Sequence, residues 1–238
     1  MQKIKNITEY LKIVHNLKKQ SEENANFTEL LFRGQNTDKD LLPKIARLNL
    51  KGEIKNIEKL MLDEFSRSII PLSEFKPEDE WDLLALAQHH GLPTRLLDWT
   101  YNPLVALWFA VFDVSINENA VVWILNADTD DFRQDTETIQ PLSNKVTKIY
   151  RPKIISRRIS SQDGVFSVHK LNSDNKFIAF NKNKNYKDKL TKIIIEPKHF
   201  THIKKGLNLL GINNSTIFPD IDGLCKHLEY RFTHEYNT

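Results

Sequence analysis

Apolar residues recur at helical spacing near both ends of this chain and form short continuous runs between them. A period of three to four residues predicts helices over 3–19 and 54–69. A third helix is predicted over 81–90, because acidic residues occupy its first turn and a glycine follows it. Helical spacing returns over 200–210 and 221–228. The first third and the end of the chain are therefore expected to be mainly helical.

Short apolar and β-branched runs bounded by polar turns predict strands, most of them in the second half. The run 27–33 is the exception, a buried strand that ends in a turn at Gly34. The other predicted strands start at Ala120, Lys148, Gly164, Lys176 and Lys192. Because helices and strands segregate rather than alternate, the pattern predicts an α+β fold in a single domain. N-terminal helices are expected to pack on a mixed or antiparallel sheet formed mainly by the second half, with helices again at the C-terminus.

The segment 100–112 predicts a helix of a different kind. Asn102 suits the N-cap position, and Pro103 suits the first helical position, where its missing N–H costs no hydrogen bond. Residues 104–112 are apolar on nearly every side. Such a helix is expected to lie buried in the middle of the domain.

The composition is that of a folded chain without a membrane span. Of its 238 residues, 40% are hydrophobic and 27% are charged, which allows a sizeable core. No apolar run approaches the roughly 18 residues of a membrane helix, and no secretory signal is recognisable. We therefore expect no membrane contact and a cytoplasmic location. The single Cys225 excludes an intramolecular disulfide, and no metal site is expected.

Positive charge is concentrated in one part of the chain. Residues 151–205 hold fourteen Lys and Arg against four Asp and Glu, although the whole chain carries only +3. Such a stretch could attract nucleic acid or the phosphates of a nucleotide. It could equally be a solvated face, which is favoured here because lysines alternate with asparagines over 181–189 as in an exposed turn.

Polar residues crowd into the segment between the third helix and the buried one. They are His89, His90, Thr94, Arg95, Asp98 and Thr100. Polar groups in a loop walled by apolar helices favour a ligand site, for which Trp99 and Trp108 could supply an aromatic wall. A structural alternative remains, in which Arg95 and Asp98 form a buried ion pair that pins the loop.

The two adjacent histidines are candidate proton donors or acceptors, because imidazole titrates near neutral pH. Neighbouring residues on a helix point about 100° apart, so at most one of His89 and His90 is expected to face the pocket. The alternative for either residue is a structural role. One of the two nevertheless remains a candidate for acid–base chemistry.

Two further segments carry candidate binding groups. Arg33 ends an apolar run, so its guanidinium could hold a phosphate or carboxylate while Gly34 allows close approach; the alternative is a buried salt bridge. Gln162 and Phe166 flank a glycine turn at a strand start, a pattern that a simple hairpin shares. These residues complete the candidate pocket.

The motifs together resemble the FRG domain family, named for the triplet found here as Phe32, Arg33 and Gly34. The resemblance extends over 87–110, 157–169 and 215–224. It implies an FRG domain over 26–238 with residues 1–25 as an N-terminal helix outside it.

The order of the motifs is similar to that of arginine-type ADP-ribosyltransferases. Arg33-Gly34 would correspond to their first motif, Thr100 and the helix through Phe109 to the second, and Glu196 to the catalytic glutamate. This resemblance implies that Arg33 grips an NAD phosphate and that Thr94 or Thr100 lines the nicotinamide ribose. A carboxylate would stabilise the oxocarbenium-like transition state. The Glu-x-Glu motif of that family is missing.

The resemblance implies an enzyme that uses NAD, similar to an ADP-ribosyltransferase or an NAD glycohydrolase, in bacterial stress or phage defence. The expected catalytic residues are Arg33, His90, Asp98 and Glu196. The expected ligand-binding residues are Gly34, His89, Thr94, Arg95, Thr100, Gln162 and Phe166. Two alternatives remain: a non-catalytic ligand-sensing or protein-binding module, and a nucleic-acid-binding or cleaving protein that uses the basic region.

Overall fold

Seven strands form one mixed sheet in the computed structural model, which describes residues 2–23, 28–73, 75–113, 115, 117–153 and 162–234. The strands are β1 (Gln2–Ile4), β2 (Thr28–Gln35), β3 (Leu96–Thr100), β4 (Ala120–Asp128), β5 (Lys148–Tyr150), β6 (Gly164–Val168) and β7 (Leu190–Ile195). The helices are α1 (Ile7–Glu23), α2 (Ile54–Ser68), α3 (Glu80–His89), α4 (Pro103–Val111), α5 (Phe200–Leu209), α6 (Asn214–Ile217) and α7 (Ile221–His234). The predicted α+β class is confirmed.

The strands follow the order β1-β7-β4-β2-β3-β6-β5, and every pair is antiparallel except β1 with β7. Helices α1, α4 and α5 cover one face of the β1-β7-β4-β2 part. Helices α2 and α3 pack against the β3-β6-β5 part. The opposite face is covered by apolar side chains from loops, including Leu41, Phe132, Phe180 and Tyr186. Within the described ranges, no helix is long and apolar enough to cross a membrane.

Two predicted elements differ from the structure: the first helix has shifted bounds, and one predicted strand is a loop. The predicted helix over 3–19 begins only at Ile7, because residues 2–4 pair with β7 and bury Ile4. The predicted strand at 176–180 is a loop with one isolated bridge, from Leu171 to Phe177. Phe177 and Phe180 of this loop are buried. The apolar run there therefore indicates burial of side chains, and not a strand that pairs with a neighbouring strand.

The sheet is divided between β2 and β3. Strands β2 and β4 share eight residue pairs, and β3 and β6 share five, whereas β2 and β3 share only the pair Phe32 and Thr100. Backbone groups that face the gap therefore need partners other than a neighbouring strand. The segment predicted as a polar loop contains β3, which places alternate residues of that segment on opposite faces of the sheet.

Helix α4 follows the expectation from its sequence. The Asn102 side chain accepts hydrogen bonds from the backbone N–H groups of Leu104 (2.9 Å) and Val105 (3.3 Å), and Pro103 is the first helical residue. Most of the helix is buried. It lies directly on β2, where a Cβ on Gly34 would come 1.9 Å from the carbonyl oxygen of Ala106. Gly34 was expected to allow the close approach of a ligand, and in the structure it allows the close approach of the α4 backbone.

A chain of buried polar groups on the other face of the sheet makes stability depend on pH. Trp99 Nε1 donates to Ser167 Oγ (3.0 Å), which lies 3.0 Å from His169 Nε2. Burial, with a smaller effect of the charges on Arg33 and Arg95, lowers the pKa of His169 to about 3. The folded state therefore holds this imidazole neutral, while the unfolded chain binds a proton below its ordinary pKa of 6.5.

We expect the free energy of unfolding to fall as pH drops below 6.5, the ordinary pKa of His169. Stability from this group is complete above that pH and is lost by up to about 1.4 kcal/mol per unit towards pH 3, because only the unfolded state takes up the proton. Urea unfolding at pH 7 and pH 5 measures the slope. His169→Gln should flatten it, whereas the exposed-site control His202→Gln should not; equal slopes in the wild type and His169→Gln would contradict the assignment.

Candidate functional site

A cavity of about 530 Å³ opens where β2 and β3 separate, between the end of α3 and the side of α4. Its volume lies within the range of small-molecule sites. It is lined by Phe32, Arg33, Gly34, Gln88, His89, His90, Gly91, Asp98, Trp99, Thr100, Val105, Ala106, Phe109, Gln162, Gly164 and Phe166. The structure thus brings together eight of the eleven predicted site residues, from four separate parts of the chain.

Arg33 bridges the gap between the two strands. Its Nη1 donates to the backbone oxygen of Asp98 (2.7 Å) and lies 3.5 Å from the Asp98 carboxylate. The side chain is 17% exposed, and burial lowers its pKa, an effect that Asp98 opposes. Its Nε is buried without a hydrogen-bond partner among the described residues. The guanidinium therefore has donor capacity that the protein leaves unsatisfied, which favours an anionic ligand.

The Asp98 carboxylate accepts hydrogen bonds from one neighbouring side chain and is otherwise exposed. Its side chain is 57% exposed, and Gln88 Nε2 lies 3.1 Å from both of its oxygens. Gln88 is itself held, because its Oε1 accepts a hydrogen bond from Thr94 Oγ1 (2.7 Å). Gln88 was not among the residues predicted from the sequence; its position at the end of the buried α3 was the available signal.

Thr100 and Gln162 join the floor of the cavity to its rim. Thr100 Oγ1 donates to the backbone oxygen of Gln162 (2.5 Å) and accepts from Asn102 N (3.0 Å). Gln162 Nε2 donates to the backbone oxygen of Ile217 (3.1 Å), which ties the rim to α6. Both predicted residues line the cavity, and the bonds of Thr100 show it acting as a structural link. The preceding motif residues 157–161 lie outside the described residues.

Both histidines line the cavity, so the expectation that at most one would do so is wrong. Helix α3 ends at His89, and His90 leaves the helical path as the C-cap, followed by Gly91 with a φ of 84°. The helical angle therefore no longer separates the two rings, whose centroids lie 4.9 Å apart at 88°. His90 is exposed at the cavity mouth, whereas His89 is half-buried.

Aromatic rings form part of the cavity wall, but not all of those expected. Phe109 of α4 and Phe166 of β6 line it, together with Trp99. Trp108 packs instead into the core beside Phe218. The apolar surface for a flat ligand therefore comes mainly from phenylalanines.

Three predicted residues lie outside the cavity lining. Thr94 is buried beneath it and contacts Gln88. The alternative in which Arg95 pairs with Asp98 is wrong: Arg95 pairs with Glu58 of α2 (2.7 Å), and their side chains are 1% and 0% exposed. Arg95 lies just before β3 and is buried under α2, whereas Asp98 lies within β3 and pairs with Arg33.

Glu196 follows β7, separated from β3 by β4 and β2 in the sheet. It does not line the cavity. Hydrogen bonds from Lys198 and Lys3 lower its pKa to about 2. The structure therefore does not bring this carboxylate to the other candidate residues.

Five of the fourteen positive charges in 151–205 are paired with acidic residues from elsewhere in the chain. The ion pairs are Arg151–Glu29, Lys153–Glu78, Lys182–Asp40, Lys189–Asp131 and Lys192–Asp38. These pairs join the basic stretch to the acidic remainder, so the local surplus seen in the sequence is partly neutralised on the folded surface. This arrangement supports the interpretation of residues 151–205 as a solvated face.

Comparison with known proteins adds one family. Residues 28–119 match the FRG domain family model, a segment that runs from β2 through α4 and contains most of the cavity lining. No curated protein and no solved structure matches the chain. The match supports the resemblance to the FRG domain family over residues 28–119.

Proposed function

We propose that this chain is a nucleotide-directed enzyme that cleaves NAD in the β2–β3 cavity, similar to an ADP-ribosyltransferase or an NAD glycohydrolase. The observation that carries the proposal is the partly unsatisfied guanidinium of Arg33 beside the exposed, oriented carboxylate of Asp98, in one cavity of about 530 Å³. A dinucleotide offers the complementary groups: an anionic diphosphate, ribose hydroxyls and flat rings.

Each group has a distinct part in this proposal. Arg33 binds the diphosphate through its guanidinium group. Phe109 and Phe166 contact a ring. The Asp98 carboxylate stabilises the positive charge that develops at the ribose carbon as its bond to nicotinamide breaks. Water or another acceptor then bonds to that carbon, and the exposed His90 accepts its proton. Glu196 has no part, since it lies outside the cavity.

The first test is incubation of the purified protein with NAD, with free nicotinamide followed by chromatography. Arg33→Ala and Asp98→Asn should each lower turnover by about tenfold to hundredfold, because each removes a charged partner of the transition state. The matched controls are Arg67→Ala and Glu64→Gln, which alter an exposed ion pair on α2. These controls should retain turnover, and circular dichroism should show that all four variants are folded.

The outcomes separate the proposal from its alternatives. No nicotinamide release, with candidate acceptors and cell extract added, contradicts the enzymatic proposal. Binding of ADP-ribose that depends on Arg33 but yields no turnover would instead favour a ligand-sensing module. If the enzymatic proposal holds, consumption of NAD is the chemistry through which the chain would act in bacterial stress or phage defence.

A further inference from the structure

A short chain of hydrogen bonds runs from the backbone of β3 to the Asp98 carboxylate. Leu96 N donates to Thr94 Oγ1 (3.0 Å), Thr94 Oγ1 donates to Gln88 Oε1 (2.7 Å), and Gln88 Nε2 donates to both Asp98 oxygens (3.1 Å each). Thr94 is fully buried, Gln88 is half-buried and Asp98 is exposed. These hydrogen bonds therefore connect the buried start of β3 to the Asp98 carboxylate in the cavity.

The direction of every bond in this chain follows from the donors available. Because an ionised carboxylate can only accept, the NH₂ group of Gln88 faces Asp98 and its amide oxygen faces Thr94, whose hydroxyl donates to Gln88 and accepts from Leu96 N. A flipped amide would place its oxygen against a carboxylate, and the two acceptors would repel each other. The orientation of Gln88 is thereby fixed.

Arg33 and Gln88 both contact the Asp98 carboxylate. Arg33 Nη1 and the Asp98 carboxylate form an ion pair at 3.5 Å, which is longer than a close charge-assisted hydrogen bond of about 2.8 Å. Gln88 contacts both carboxylate oxygens and so competes with Arg33 for them. Without Gln88, the exposed carboxylate would be drawn to the guanidinium, which is its remaining partner among the described residues.

We infer that Gln88 and Thr94 are positioning residues that hold Asp98 away from Arg33, so that the guanidinium stays available to an anionic ligand and the carboxylate to a cationic centre. This inference rests on the proposed function for the identity of the ligand. It assigns Gln88 and Thr94 no contact with the reacting atoms. It predicts that loss of Gln88 weakens binding of the phosphate-bearing part of the ligand as well as turnover.

Calorimetry with ADP-ribose as the probe tests the competition. Gln88→Met should weaken binding about tenfold, because Asp98 then closes on Arg33. Adding Asp98→Asn to Gln88→Met should restore most of that loss, because the neutral amide no longer neutralises the guanidinium. A merely structural role of Gln88 predicts no such rescue. Wild-type affinity in Gln88→Met, or a double variant no better than the single one, would overturn the inference.

Nuclear magnetic resonance of the Gln88 side-chain amide tests the same chain without any ligand. Thr94→Val removes the hydroxyl and should shift the Gln88 amide signals, as should Asp98→Asn, whereas the matched variant Thr94→Ser should leave them in place. Unmoved signals in Thr94→Val would overturn the inference. If the wild type binds no ADP-ribose but the signals move as expected, the proposed function fails and the positioning of Asp98 stands.

Discussion

Gly34→Ala is expected to destabilise the protein by about 3 kcal/mol or more, the cost of forcing two packed backbones apart. A Cβ at this position would lie 1.9 Å from the carbonyl oxygen of Ala106 and 2.7 Å from the backbone nitrogen of Ala110. Both atoms belong to the backbone of α4, so no side-chain rotation relieves the contact. The helix would have to move off β2, taking its buried apolar face with it.

Urea unfolding of Gly34→Ala measures this effect against Gly52→Ala. A Cβ on Gly52 would meet only the side chain of Ile57, at 3.3 Å, which can adjust. The control should therefore remain close to the wild type. A Gly34→Ala protein that does not fold agrees with the prediction if Gly52→Ala does fold. A loss below about 1 kcal/mol in Gly34→Ala would show that α4 is free to shift.

The three residues of the Phe-Arg-Gly triplet thus have three separate tasks. Phe32 packs into the core beneath α4, Arg33 reaches into the cavity from the opposite side of the strand, and Gly34 lets α4 lie against β2. Alternation along a strand explains why adjacent residues divide in this way. The sequence alone predicted the strand and the arginine, but the helix that requires the glycine lies about seventy positions further along the chain.

The candidate site shows where sequence reasoning reached its limit. Local signals were sufficient for α3, for the N-cap at Asn102 and for four members of the polar cluster, which line the cavity: His89, His90, Asp98 and Thr100. The partners within the cluster were not predictable, because they depend on which strands adjoin. Arg95 and Asp98 are three residues apart, yet Arg95 lies beneath α2 just before β3 begins, whereas Asp98 lies within β3 beside Arg33.

Glu196 illustrates the same limit over a longer range. Motif order suggested that its carboxylate would join the site, but order along the chain does not fix order in the sheet. In the sheet, β4 and β2 lie between β7 and β3. Asp98 and Gln88 meet instead, because the end of α3 lies over β3. Fold class was therefore accessible from periodicity, whereas the composition of the site required the strand order.

Glu58→Gln is expected to cost about 3–5 kcal/mol of stability, because it leaves the Arg95 guanidinium buried without a counter-charge. The Glu58 carboxylate accepts hydrogen bonds from Arg95 N (2.8 Å), Nε (3.0 Å) and Nη2 (2.7 Å), so the pair fixes both the side chain and the start of β3. Arg95 Nη1 also donates to the carbonyl oxygens of Pro141 and Leu142. Three segments of chain therefore meet at this ion pair.

Chemical unfolding at neutral pH compares Glu58→Gln with Glu64→Gln, which breaks an exposed pair on the same helix. Glu64→Gln should change stability little, because water solvates the partner that remains. The double replacement Glu58→Leu with Arg95→Met should cost less than the sum of the two single changes, since no buried charge is left unpaired. Additive losses, or a Glu58→Gln protein as stable as Glu64→Gln, would show that the buried pair does not hold α2 to β3.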